Sequence, residues 1–203
     1  MFSHFRILLI STIISTFGFS NVFISEYCEG GGYNKYVEIY NGTGSDLDLT
    51  PYKLWKNSAG GAWQSTALDL TGTLSDGDVY VVCASHSTID PIISAACDLT
   101  WIQSPWNGDD AVGLVLDDVL IDVVGDTNGD PGSGWSVCSD GSTKDKTLVR
   151  KSSISTGNVN WSESSAESTC EWDVYPKDTF DYLGAHTCDN CGVAAGCATD
   201  LDC

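Results

Sequence analysis

The chain is short of positive charge. Its 203 residues hold 9 Lys and Arg against 28 Asp and Glu, a formal net charge of −19. Charged residues make up only 18% of the sequence, below the roughly 25% of an average soluble domain, so the acidity comes from missing bases rather than surplus acids. The densest basic group, Lys144, Lys146, Arg150 and Lys151, is diluted by Asp140 and Asp145. Without a cationic patch, direct binding to nucleic acid is not expected. Helical periodicity is almost absent. Beyond the first twenty residues no apolar run approaches membrane-spanning length. Only two histidines follow that segment, His86 and His186, and no Gly-x-Ser-x-Gly elbow accompanies any serine. No catalytic residue is assigned, and the sequence does not read as an enzyme.

What is present points outward. Residues 1–20 combine His4 and Arg6 with an apolar run from Ile7 to Phe17, then small Gly18 and Ser20, the layout of a signal peptide cleaved after Ser20. Loss of that leader leaves 8 basic residues against 28 acidic ones, a net −20 for the mature chain. Secretion to an extracellular or cell-surface location is expected, with no transmembrane segment in the mature chain. All nine cysteines follow the leader, at Cys28, Cys83, Cys97, Cys138, Cys170, Cys188, Cys191, Cys197 and Cys203, and an oxidising compartment makes disulfides their expected use. A bridge from Cys83 to Cys97 closes one loop, and Cys138 with Cys170 can join two loop ends across a strand. Cys28 is a candidate to reach the tail. Cys188-x2-Cys191 has zinc-knuckle spacing, but Cys197 and Cys203 are too far apart to complete it, so disulfides are preferred there too. Asn41-Gly-Thr43 and Asn160-Trp-Ser162 are acceptor sequons for N-glycans.

Short β-rich runs recur between turn residues: Val22 to Tyr27, Tyr36 to Tyr40, Leu47 to Trp55 with a break at Pro51, Val79 to Cys83, Ala111 to Leu116, Val119 to Val124, Thr147 to Arg150 and Phe180 to Leu183. In the second run Val37 and Ile39 alternate with Tyr36, Glu38 and Tyr40, which predicts a strand with one buried face. Asp117-Asp118 is placed as a two-residue hairpin turn. Seven or eight strands of this kind describe an all-β, immunoglobulin-like antiparallel sandwich with long loops, stabilised by disulfides.

The order of motifs adds a second argument. Ile24-Ser25-Glu26-Tyr27 precedes Asn34-Lys35-Tyr36-Val37-Glu38-Ile39-Tyr40-Asn41. Then come Gly72-Thr73-Leu74, Gly77-Asp78-Val79-Tyr80, Asn107-Gly108-Asp109-Asp110-Ala111-Val112-Gly113-Leu114 and Ile121-Asp122-Val123-Val124-Gly125. Asp130-Pro131-Gly132 with Trp135, Thr147-Leu148-Val149-Arg150-Lys151, Glu171-Trp172 and Asp178 to Thr187 complete the series. Over about residues 22–187 this succession resembles the secreted microbial form of the lamin tail domain family. The resemblance implies an immunoglobulin-like sandwich without catalytic activity, a role in binding, adhesion or surface structure, and a closing strand over Asp178 to Thr187. Three segments are therefore expected: a leader at 1–20, the domain at 21–187, and a cysteine-rich tail at 188–203 that can be the start of a longer segment. Two other roles remain open, an accessory targeting domain of a longer secreted nuclease or phosphoesterase, and a calcium-dependent carbohydrate-binding module.

Calcium is the one cofactor the residues raise. Asp126, Asn128 and Asp130 place oxygen side chains at alternate positions, as the first half of an EF-hand loop does, although Pro131 stands where that loop needs Gly and Val137 where it needs Glu. Asn107, Asp109 and Asp110 form a second acidic group that also suits an ordinary turn. The seven tryptophans at 55, 63, 101, 106, 135, 161 and 172 either plug loops or present an aromatic platform to an extracellular protein or glycan partner.

Overall fold

The computed structural model describes residues 21–63, 67–102, 106–139 and 141–192. The expected leader, Asp140, Cys197 and Cys203 lie outside them. Among the described residues fourteen strands and two short helices follow in chain order: β1 (Val22–Glu29), β2 (Lys35–Asn41), β3 (Leu47–Asp48), β4 (Tyr52–Lys56), β5 (Leu68–Asp69), β6 (Thr73–Leu74), β7 (Val79–Ala84), α1 (Pro91–Ala96), β8 (Leu99–Trp101), β9 (Val112–Leu116), β10 (Val119–Val124), β11 (Ser136–Val137), β12 (Gly141–Ser142), β13 (Lys146–Arg150), α2 (Trp161–Ser164) and β14 (Trp172–Pro176).

A six-stranded sheet runs in the order β14-β13-β1-β2-β7-β8, and a four-stranded sheet in the order β10-β9-β4-β5. Pairing is antiparallel except between β7 and β8. Pro51 splits the third expected run into β3 and β4, because a proline supplies no ladder N–H. Asp117 and Asp118 adopt φ of 49° and 62° between the paired residues Leu116 and Val119, the left-handed pair of a type I′ hairpin turn.

Between the sheets lies the main core. Ile24, Val37, Ile39, Val82 and Leu148 come from the six-stranded sheet, with Leu54, Val112 and Leu114 from the four-stranded one. The alternation in β2 predicts polar contact with water for Tyr36, Glu38 and Tyr40. Instead every residue of β1 and β2 is buried. The covering elements are α1, which inserts Ile93, and residues 177–192, which cross the outer face of the six-stranded sheet as a strap.

That strap also corrects the expected closing strand. Residues 180–187 carry no strand pairing, and the last strand is β14, five residues that pair along β13. Phe180 and Leu183 act as plugs rather than ladder residues, packing against the cluster of Cys28, Tyr36, Val81, Cys83 and Ile93. Asp178 fastens the start of the strap, its Oδ1 accepting from the N–H of Gly31 at 2.9 Å and from Asn34 Nδ2 at 3.1 Å. Lys177 meets Asp145 at 2.8 Å. At the far end the N–H of Asp189 donates to the Ser152 carbonyl at 2.8 Å, and that of Gly192 to the Gly42 carbonyl at 2.9 Å.

Beneath the two sheets' rims sits a buried ion cluster. Arg150, from the end of β13, is 1% exposed. Its guanidinium donates to Asp122 Oδ2 and Glu171 Oε2, each at 2.5 Å, and to the Ile24 carbonyl at 3.2 Å. The same group lies 3.9 Å from the Trp172 ring centroid. Asp122 accepts in addition from the N–H groups of Ile24, Val123 and Asn158 at 2.7–2.9 Å. Bulges in β1 at Ser25 and in β10 at Ile121 flank this contact and free the backbone groups it uses.

Candidate functional site

Burial sorts the seven tryptophans. Trp101, Trp106, Trp161 and Trp172 belong to the core, and Trp106 Nε1 donates to the Cys28 carbonyl at 3.1 Å. Trp55, Trp63 and Trp135 are half-buried. In β4 the alternation of buried and half-buried residues turns Lys53 and Trp55 to the outer face of the four-stranded sheet. Opposite Trp55 the register places Gly113, and the Trp63 indole lies over that glycine. A Cβ on residue 113 would stand 3.1 Å from Trp63 Cη2 and 2.5 Å from Leu120 Cδ1, so the missing side chain is the socket for the ring. The rings of Trp55 and Trp63 are 6.0 Å apart between centroids and inclined at 48°. A single bridge between Asn57 and Trp63 closes the loop that brings Trp63 back to the sheet.

Beside this indole opens a cleft of about 250 Å³. Leu120 and Val123 of β10 form its apolar wall, the loop after β10 supplies Asp126, Thr127 and Asn128, and the entry to α2 supplies Val159, Asn160 and Ser162. Gly60 locks the two loops together. Its φ is +66°, and a Cβ there would fall 1.9 Å from the Gly129 carbonyl oxygen, so only glycine permits the approach.

The polar rim is held by local hydrogen bonds. Asp126 Oδ1 accepts from both the N–H and Nδ2 of Asn128, at 2.9 and 2.7 Å. Asn160 caps α2, its Oδ1 accepting from the Glu163 N–H at 3.3 Å. Asp130 does not line the cleft and accepts from the Gly132 N–H at 2.6 Å. The three residues raised as a calcium set are thus divided between two turns. Among the described residues no three His, Cys, Asp or Glu side chains gather as a metal group. We predict that adding millimolar calcium to chelator-treated protein moves the melting temperature by less than about 1 °C. A bound ion at a hundred times its Kd would add about 2.7 kcal/mol and a clear upward shift.

The second acidic group is structural. Asp110 is buried and accepts from the N–H groups of Asn107 and Ala59, at 3.0 and 3.2 Å, with Lys56 Nζ 3.9 Å away. It ties the turn before β9 to the loop that carries Trp63.

The two sequons part company. Asn160 is exposed at the cleft rim. Asn41 is fully buried, its Nδ2 donating to the carbonyls of Ser45 and Leu74 and its Oδ1 accepting from Thr43. With both amide hydrogens in use, Asn41 is a buried loop anchor in this fold.

Disulfides join Cys83 to Cys97, Cys138 to Cys170 and Cys188 to Cys191. Cys28, expected as a bridge partner, is an unbonded thiol closed in by the strap and the Thr147 hydroxyl, and burial pushes its pKa up to about 12. A thiol held protonated in this way neither attacks nor exchanges.

A further cluster escaped the sequence reading. Glu26 and Glu38 face each other across β1 and β2, each 1% exposed, beneath the strap. Tyr36 donates its hydroxyl to Glu26 Oε1, whereas Glu26 Oε2 is buried without a hydrogen-bond partner among the described residues. Glu38 accepts from the Ser25 hydroxyl and the Gly184 N–H, both at 2.7 Å. Burial raises both carboxyls above their ordinary range, Glu26 to about 8, with the neighbouring Glu38 charge adding to the effect. His186 sits between Phe23 and Tyr40, and burial, assisted by Arg150, lowers it to about 4. The available signal was an acid in the middle of each of two strongly apolar runs. His86 stacks on Tyr33 in a separate groove beside the Cys83–Cys97 bridge, so neither histidine reaches the cleft.

Comparison with known proteins bears on the frame that carries this cleft. No curated protein matches the sequence. Among solved structures the chain is similar to a DUF4876 family protein from Bacteroides thetaiotaomicron, with a TM-score of 0.50 and 11% identity over 87% of this chain and 76% of that one. Such a likeness shows the fold alone. Residues 16–128 match the model of the Lamin Tail Domain family; beyond that span β13 and β14 complete the six-stranded sheet, and β11 and β12 pair as a separate two-stranded ribbon. Matched over more than half its length, the chain belongs to the lamin tail domain family.

Proposed function

We propose that this chain is a secreted, non-catalytic binding module that engages an extracellular partner through the cleft beside Trp63. One observation carries the reading: Trp63, the turn of Asp126 and Asn128, and Asn160, from three separate stretches of chain, line one cleft, where Trp63 packs on the edge of the core and the three polar residues take no part in it. A half-buried indole ringed by amide, hydroxyl and carboxylate groups is the composition of a recognition site, an apolar floor with a few polar groups that fix orientation. Three disulfides suit an oxidising compartment, and among the described residues no helix is long and apolar enough to cross a membrane. The hydrogen bonds from residues 189 and 192 to the sandwich support treating the start of the tail as part of the same body.

The test is attachment of labelled protein to the surfaces or matrix of cells that share its medium. Trp63→Ala is expected to weaken attachment at least tenfold while lowering the melting temperature by only a few degrees. Attachment untouched by that change removes the cleft from the account.

A further inference from the structure

We infer that the cleft beside Trp63 receives an uncharged pyranose ring of a saccharide chain, a ligand class that rests on the binding-module reading above.

The floor is the first reason. The six-membered part of the Trp63 indole lies against Gly113 with no side chain between them, and the Trp55 ring, 6.0 Å away and tilted at 48°, packs beside it. A sugar ring is itself two-faced, with C–H groups on its faces and hydroxyls at its edge. The C–H face desolvates favourably against an indole, whereas a peptide backbone laid there would lose hydrogen bonds to water.

The rim is the second reason. Asp126, Thr127, Asn128, Asn160 and Ser162 bring carboxylate, hydroxyl and amide groups to the edge of that floor, and among the described residues no Lys or Arg lines it. Asp126 uses Oδ1 for Asn128, which leaves Oδ2 to accept from a ligand, and Asn160 uses Oδ1 for α2, which leaves Nδ2 to donate. A rim that offers both an acceptor and a donor suits hydroxyls, which donate and accept at once. The same carboxylate, in a protein of net charge −19, repels sulfated, phosphorylated or uronic ligands.

Size and rigidity agree. A volume of about 250 Å³ falls just below the roughly 300–1,000 Å³ of pockets for drug-sized ligands, so one ring fits and a folded epitope does not. The Asx turn at Asp126, the helix cap at Asn160 and the Gly60–Gly129 contact hold the rim before any ligand arrives, which spares ordering entropy on binding.

The experiment uses the full chain, secreted by a host that attaches no N-glycans, because a glycan on Asn160 would stand in the cleft. Affinity electrophoresis through gels containing cellulose derivatives, xylan, mannan or heparin measures binding, and the cell-attachment assay is repeated after mild periodate, which cleaves vicinal diols. Retardation by at least one neutral polysaccharide is expected, with none by heparin. Trp63→Ala should lower that affinity at least tenfold and Asp126→Asn at least fivefold. Ser162→Tyr, an exposed position that fills the cleft without touching the core, should abolish it even if the tryptophan variant folds poorly. Attachment that needs Trp63 but survives periodate, with no polysaccharide bound, overturns the saccharide and leaves a protein partner for the same cleft. Attachment indifferent to Trp63 and Ser162 overturns the binding-module reading itself.

Discussion

Replacing Arg150 with methionine is expected to lower the stability of the folded protein by about 3–5 kcal/mol, the usual consequence of removing one partner from a buried ion pair. Asp122 is fully buried and keeps its three backbone donors in that variant, but its negative charge loses the guanidinium in contact with it. Trp172 loses the group stacked on its face at the same time. Against a typical total of about 5–15 kcal/mol, such a loss is a large fraction of the whole, and the melting temperature should fall by about 6–20 °C. The double variant Arg150→Met with Asp122→Asn should regain part of the loss, because it removes the orphaned charge while an amide oxygen still accepts from the backbone. Urea unfolding followed by tryptophan fluorescence measures both. A single-variant loss below about 1 kcal/mol, or strict additivity of the two changes, would show that the pair is not coupled as the geometry requires.

That cluster explains why two short motifs stand where they do. Ile121 to Gly125 and Thr147 to Lys151 read, in sequence, as parts of two ordinary strand candidates. In the fold Asp122 and Arg150 are the charges that join the sheets' rims. The periodicity of β2 was legible because one face of the strand meets the main core, and Val37 and Ile39 lie where alternation puts them. The outer face of β1 and β2 was not legible. What buries it is a strap without periodicity of its own, fixed by single contacts at Asp178, Gly184, Asp189 and Gly192. The sequon at Asn41 was legible as a pattern but not as a buried anchor, since burial depends on the β3–β6 ribbon packed over it. For the cleft, Asp126, Asn128 and Asn160 stood out individually as turn and sequon residues. Their meeting at Trp63 rests on Gly113 and Gly60, whose absent side chains reveal nothing in one dimension.

Between pH 6.5 and 8 the protein should lose stability, and Glu26→Gln should abolish most of that loss. The folded state holds Glu26 protonated to about pH 8, whereas an unfolded chain releases that proton near 4.5. A raised carboxyl favours folding fully below the unfolded value, and this contribution drains away as pH rises to the folded one, at about 1.4 kcal/mol per pH unit. Glu38, raised in the same direction, steepens the decline. His186 acts oppositely. Its contribution is intact above 6.5 and lost as pH falls toward 4, so between about 4.5 and 6.5 the Glu26 and His186 slopes offset each other. In Glu26→Gln the side-chain oxygen still accepts from Tyr36, but the amide hydrogens replace an unpartnered oxygen. The variant is therefore less stable at pH 5, by about 1–3 kcal/mol. Its disadvantage should shrink and reverse as pH rises, with the wild-type minus variant difference changing by about 3–5 kcal/mol from pH 5 to 8. Amide exchange adds a local reading. Protection at Gly184, corrected for its intrinsic rate, should fall over the same interval in the wild type and hold steady in the variant, because that N–H, on the strap, donates to Glu38, the residue paired with Glu26 across β1 and β2. A difference curve flat from pH 5 to 8 would mean that water already reaches Glu26 and that the strap does not seal the pair.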